Sequence, residues 1–259
     1  MTAPLYFVEH GPSSGVPLVL IHPLGADRHF WDETVKHFGQ GVHAIQLDLR
    51  GSGQSPDLER PLTLEQTVED IEAIRRHLGL ARIVVVGCAI GGMAAALYAA
   101  RHVDHAAGLI VSNPAIRITP EAGESLAQRA ELVRAKGMVA LLPGAIENAF
   151  VGYADTEARR TYEAAFLAQS ASNYAFAASG AIGADISEDL TRVTCPTLLV
   201  VGANDRLMSP ANAPQIACLV TQAQTVEFED GAHFIPYQQP VRFGTLVADY
   251  LDRHGLRPE

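Results

Sequence analysis

The sequence predicts a doubly wound α/β domain with a mostly parallel sheet, interrupted late by an all-helical insertion. Two observations carry this. Seven short β-rich runs (5–9, 18–21, 43–48, 83–86, 108–112, 197–201 and 225–228) are mostly continuous rather than alternating in their apolar residues. Such runs suit strands buried on both faces of a parallel sheet, and helical patterns fall between them. The second observation is a break in that rhythm from about 115 to 185. This stretch has no convincing strand, is rich in Ala, Glu, Gln and Arg, and is punctuated by Pro143-Gly144 and Gly152. It is too long for one crossover and is read as three or four helices. With 259 residues, 48% of them hydrophobic, the chain can bury a sizeable core around one such domain.

The second run, 18–21, leads into His22-Pro23-Leu24-Gly25. The third leads into DLRGSGQS (48–55), which is Gly-rich but lacks the GxGxxG spacing and a Lys-Ser/Thr pair. A tight turn explains it better than a phosphate loop. Leu64, Val68, Ile71, Ile74 and Leu78 recur at steps of three and four after Thr63, predicting an N-capped helix over 64–78. The fourth run ends in GCAIGG (87–92), the shape of a sharp strand-to-helix turn. The parts are then a first core segment over 1–115, a helical cap over 116–186 and a second core segment over 187–259. A cap inserted there covers the carboxyl ends of the strands, where open sheets bind ligands.

A formal charge of −10, with no block of like charges, argues against a nucleic-acid partner or an anionic membrane surface. Cys88, Cys195 and Cys218 show no CxxC pairing and no metal-ligand spacing, so no metal site is expected and a reduced, cytoplasmic setting is. Met1-Thr-Ala-Pro-Leu5 has no basic region followed by an apolar core, so no leader is expected. No apolar run is long enough to span a bilayer.

The chemistry concentrates at the turn after the fourth run. A residue presented there must have small neighbours two before and two after it, and Gly87 and Gly91 supply them around Ala89. Placing Cys88 at the centre would put Val86 and Ile90 at the small positions, so Cys88 fits badly as a nucleophile. Downstream, VVGAND (200–205) ends a strand in Asp205, and FEDGAH (228–233) ends one in His233. Nucleophile position, acid and base follow in that order, the logic of a triad. The backbone N–H of Leu24, with that of Ile90 just after the turn, would form an oxyanion hole.

On HPLG, DLRGSGQS, GCAIGG, CPTLLVVGANDRLMSP and GAHFIPYQQP the chain resembles the α/β-hydrolase superfamily over essentially its full length. GADRHFW (25–31) and a cap of roughly 70 residues are similar to the 3-oxoadipate enol-lactonase branch, with the meta-cleavage C–C hydrolases close behind. The resemblance implies Asp205 as triad acid, His233 as base and Ala89 at the nucleophile position, where the family carries Ser. It implies a cofactor-free hydrolase of an ester, lactone or activated amide in a small molecule, possibly one bearing a carboxylate. A chain with Ala89 should be inactive. Retention of the acid, the base and the oxyanion loop favours a replaced serine over a natural non-catalytic member. A C–C hydrolase, a cofactor-free oxygenase using the His–Asp pair, and a small-molecule receptor are the alternatives. The only partner expected is the small-molecule substrate, and the chain should be a monomer or homodimer. Arg117, Arg129, Arg134, Arg159 and Arg160 are candidates to pair a substrate carboxylate. Arg117 is preferred because it lies closest in sequence to a strand end. Phe150, Phe166, Tyr174 and Phe176 are expected to pack the cap rather than line the pocket.

Overall fold

The structure, a computed structural model, describes residues 5–257. The leader reading rests mainly on 1–4, which lie outside the described residues, as do the outermost ends of the two core segments. Seven strands form one sheet: β1 (Phe7–His10), β2 (Val16–Ile21), β3 (Val42–Leu47), β4 (Ile83–Cys88), β5 (Ala106–Ser112), β6 (Thr197–Gly202) and β7 (Ala223–Phe228). Their order is β1-β3-β2-β4-β5-β6-β7, with β1 antiparallel to β3 and every other pair parallel. All seven apolar runs are strands, displaced by a residue or two at their ends.

The helices follow in chain order: α1 (Asp32–Val35), α2 (Leu64–His77), α3 (Ile90–Arg101), α4 (Pro120–Lys136), α5 (Gly144–Ala149), α6 (Glu157–Leu167), α7 (Ala171–Ala181), α8 (Ser187–Leu190), α9 (Asn212–Leu219), α10 (Ile235–Gln238) and α11 (Pro240–Arg253). Helix α2 begins as its sequence requires, the Thr63 hydroxyl accepting from the Gln66 N–H at 3.2 Å. None of the helices of the described residues is long and apolar enough to cross a membrane.

Strand side chains divide with period two between the sheet faces. Leu18, Leu20, Val84, Val86, Leu198 and Val200 join a cluster with Trp31, Phe243 and Tyr250 of the α1 and α11 side, and that cluster continues into the cap. Val19, Ile21, Val85, Leu199 and Val201 pack with α2, α3, α8 and α9 on the opposite face. Both faces are buried, which is why the runs are continuously apolar.

Strand order reverses between β2 and β4, so the crevice beyond their carboxyl ends is the expected ligand site. Helices α4 to α7 lie between β5 and β6 in sequence. Their two crossings are stitched together by an antiparallel bridge between Arg117 and Asp185, by Ile118 N–H to Ala184 O at 2.8 Å and by Ile186 N–H to Ile116 O at 3.0 Å. A layer joined through so narrow a base should open for less free energy than global unfolding requires. Amides of 119–180 are expected to exchange hydrogen faster on average than those of 83–86 and 197–201. Equal protection in both regions would count against a separable lid.

Candidate active site

Strand β4 extends through Gly87 and Cys88 because both pair with β5, opposite Val111 and Ser112. The chain then turns through Ala89, at φ 52° and ψ −119°, directly into α3. The turn is possible only with glycine on both sides. A Cβ on Gly87 would lie 2.3 Å from Gly91 O, and one on Gly91 would lie 2.5 Å from His22 O. For a residue with a Cβ the Ala89 conformation is strained by roughly 1–3 kcal/mol. Ala89→Gly should relieve that strain at a smaller entropic cost, raising stability by about 1 kcal/mol. A urea titration showing loss of stability would mean that the conformation is not strained.

His233 follows β7, in a loop whose backbone N–H is held by Ala149 O of the cap at 3.2 Å. Its Nδ1 lies 2.9 and 3.0 Å from the two Asp205 oxygens. An ionised carboxylate only accepts, so Nδ1 carries the proton and Nε2 is left as an acceptor. Asp205 also accepts from the Leu207 N–H at 2.8 Å, the Met208 N–H at 3.0 Å and Asn113 Nδ2 at 2.8 Å. Burial pushes its carboxyl up, but the pull of His233 and the two amides outweighs burial and leaves it below the usual carboxylate range.

Asn113 follows β5 in a left-handed conformation, φ 53°, and its Nδ2 also donates to Ala232 O at 2.8 Å. One side chain thus ties Asp205 to the loop that carries His233. The signal for it was an Asn before Pro114 at a strand end, a residue type that tolerates positive φ. Its role depends on contacts to Asp205 and Ala232, remote in sequence, and sequence reasoning missed it.

The Leu24 turn follows β2, directly beside β4. His22 secures it: Nδ1 donates to Pro23 O at 2.9 Å and Nε2 accepts from the Leu49 N–H at 3.0 Å. Burial pushes the His22 ring down, against an opposing pull from the Pro23 bond, so it stays a neutral spacer. Asp48, fully buried, accepts from the Arg28 and Gln54 N–H groups and from Arg28 Nη1, bracing the DLRGSGQS segment as a turn. Among the described residues no acceptor meets the Leu24 N–H, and Ile90 opens α3, where N–H groups lack intrahelical partners.

Leu24, Ala89, Ile90, His233 and Arg117 line one cavity of about 430 Å³, closed by Tyr162 and Phe166 of the cap. Asp205 stands behind His233. Arg117 is at the rim, more than half exposed, with Nε 3.5 Å from Asp185 Oδ2. Cys88 is fully buried and its Sγ is 3.7 Å from His233 O; burial, then the charge of Asp205, pushes its thiol well above the usual range. That is the environment of an inert thiol. Of the cap aromatics, Phe166 lines the cavity, whereas Phe150 and Tyr174 are packed among other rings.

The arrangement gathers the His233 imidazole, its Nδ1 held by Asp205, the Ala89 methyl group and the Leu24 and Ile90 backbone around one cavity. Residues 16–240 match the family model described as the alpha/beta hydrolase fold. The 3-oxoadipate enol-lactonase 2 of Acinetobacter baylyi is 26% identical over 254 residues, covering 96% of this chain and 93% of that protein. A putative carbamate hydrolase of Enterobacter cloacae is 26% identical over 253 residues, covering 94% of each. Among solved structures, a malate-bound thermophilic esterase from Thermogutta terrifontis superposes with a TM-score of 0.89 at 29% identity, covering 96% of this chain and 93% of that one. The enol-lactonase of Burkholderia xenovorans superposes with a TM-score of 0.88 at 26% identity, covering 96% of each.

Proposed function

Because the chain belongs to the α/β-hydrolase fold family, we propose that its cavity binds a small ester, lactone or activated amide carrying a carboxylate, and that position 89 is that of a serine nucleophile. The observation that carries this reading is the strained turn at Ala89, on the same cavity as a His–Asp pair and two free amides. An alanine gains nothing from a left-handed turn; a nucleophile gains exposure to substrate. With Ser at 89, His233 Nε2 takes the hydroxyl proton as Oγ attacks the carbonyl, and Asp205 stabilises the imidazolium. The Leu24 and Ile90 amides hold the oxyanion, His233 returns the proton to the leaving group, and water releases the acyl group by the same route. The chain as it stands is a binder of that substrate and hydrolytically silent.

The names of the relatives support the class: enol-lactonases, a carbamate hydrolase and an esterase holding a dicarboxylate. A C–C hydrolase would use the same groups on a vinylogous diketone. A cofactor-free oxygenase is the second reading, favoured by an intact base beside an alanine, since it needs the His–Asp pair and no hydroxyl. Assays of Ala89→Ser beside the parent chain test the proposal, with oxygen uptake by the parent as the result that would favour the oxygenase. In Ala89→Ser, a further His233→Asn change should abolish the gained activity. Persistence of hydrolysis would remove His233 from the mechanism.

A further inference from the structure

The geometry points to Arg129, seated over the ring of Tyr174, as the subsite that holds the substrate's own carboxylate and so selects anionic acyl compounds over neutral ones of equal shape. This rests on the acyl-substrate reading of the cavity above.

The five cap arginines separate once their partners are known. Arg117 pairs with Asp185, Arg134 with Glu131 at 2.9 Å and Arg160 with Asp155 at 3.0 Å. Arg159 donates to Tyr153 O at 3.2 Å. Arg129, on α4, is half-buried and lines the catalytic cavity, and among the described residues no carboxylate reaches its guanidinium. Arg206 also lines that cavity but sits exposed in the loop after Asp205, where water solvates it. A guanidinium kept in a half-buried wall without a counter-charge is costly unless a ligand supplies one.

The neighbour of Arg129 points the same way. Its guanidinium carbon lies 5.7 Å from the centroid of the Tyr174 ring. Tyr174 is only 3% exposed and stands outside the cavity lining, so its ring and phenol back the guanidinium from behind. A carboxylate in the cavity then accepts from the guanidinium in a charge-assisted pair. In a chain of net charge −10 a local cation is also what draws an anion in.

The test compares two esters in the Ala89→Ser chain. One is 4-nitrophenyl hydrogen glutarate; the other is 4-nitrophenyl 5-methylhexanoate, in which an isopropyl group replaces the carboxylate. The ratio of their kcat/KM values should favour the anion and fall about 10- to 100-fold in Arg129→Met, the range expected for a charge-assisted contact. Arg129→Lys should recover part of the ratio. Tyr174→Phe, which keeps the ring under the guanidinium but removes the phenol beside it, should lower the ratio by a smaller factor. A ratio unaltered by Arg129→Met, or one favouring the neutral ester in the parent, overturns the assignment. If Ala89→Ser is inert on both esters, the acyl-hydrolase reading fails, and titration of the unaltered chain with glutarate decides the subsite alone. Heat of binding lost in Arg129→Met sustains it, and binding that ignores that change overturns it.

Discussion

Ala89→Ser is expected to raise hydrolytic turnover about 10⁴- to 10⁶-fold over the parent chain, the range lost when a triad serine is removed elsewhere. Everything the hydroxyl needs is already in place. The His233 ring is fixed by Asp205 at 2.9 Å, Asp205 by Asn113 and two amides, and the oxyanion turn by His22. The backbone of position 89 already has the left-handed turn that the proposal assigns to a serine. Enol-lactones, aryl esters and meta-cleavage diketones should be screened, because the triad alone does not choose among them. Folding stability should change little, since only one hydroxyl is added. Cys88→Ala in the restored chain should cost no activity, because that thiol is buried and inert. If Ala89→Ser is silent on every class while the parent consumes oxygen or holds a ligand unchanged, the hydrolase reading is wrong.

Glu72→Gln should destabilise the fold by about 3 kcal/mol at neutral pH. Glu72 lies on α2 with its side chain 6% exposed. It accepts two hydrogen bonds from Arg75 at 2.8 Å, one from Arg76 Nε at 2.7 Å and one from Tyr98 Oη at 3.0 Å. The Arg75 bonds are the main cause of a pKa held at about 2 rather than 4.5; burial opposes them, and Arg76 and Tyr98 add to them. A drop of that size is worth about 3 kcal/mol of linkage. The folded value lies below the unfolded one, so this stability is complete above pH 4.5 and is lost as pH falls toward 2. Glutamine has no proton to take up there and leaves the buried Arg75 without its counter-charge. Urea melts from pH 7 to 2 should show the parent losing stability over that window more steeply than Glu72→Gln. Parallel slopes would mean that Glu72 is not the group responsible.

Much of the fold was legible because burial leaves a plain trace in sequence. A strand covered on both faces must be apolar at every position, and Ile83, Val84, Val85 and Val86 are. The elbow was legible because its backbone packs so closely that only glycine fits at 87 and 91. Strand ends were less clear. The third run was expected to reach Asp48, but that carboxylate leaves the strand to gather the Arg28 and Gln54 amides. The substrate end was the hardest to read. Arg117 is near a strand end in sequence, yet the fold uses it in the hinge of the cap, opposite Asp185. Arg129 has no local signature at all, since its lack of a partner appears only when every carboxylate has found its place. Asn113 and His22 act through backbone groups and side chains brought near by the sheet, and no spacing announces such contacts.

The cap does not merely roof the cavity. Tyr162 Oη on α6 donates to Gly25 O at 3.4 Å, and a Cβ on Gly25, at φ +80°, would lie 2.9 Å from Phe166 and 3.3 Å from Tyr174. Gly25 is the residue after Leu24, so the cap grips the turn that carries one of the two amides proposed to hold the oxyanion. Recognition and rate enhancement are therefore not separate modules that recombination can shuffle. A chimera spliced at 117 and 185 would import a new specificity along with foreign side chains bearing on the old oxyanion turn. Until positions 25, 162, 166 and 174 are matched again, such a hybrid should hold its new substrate well and turn it over poorly.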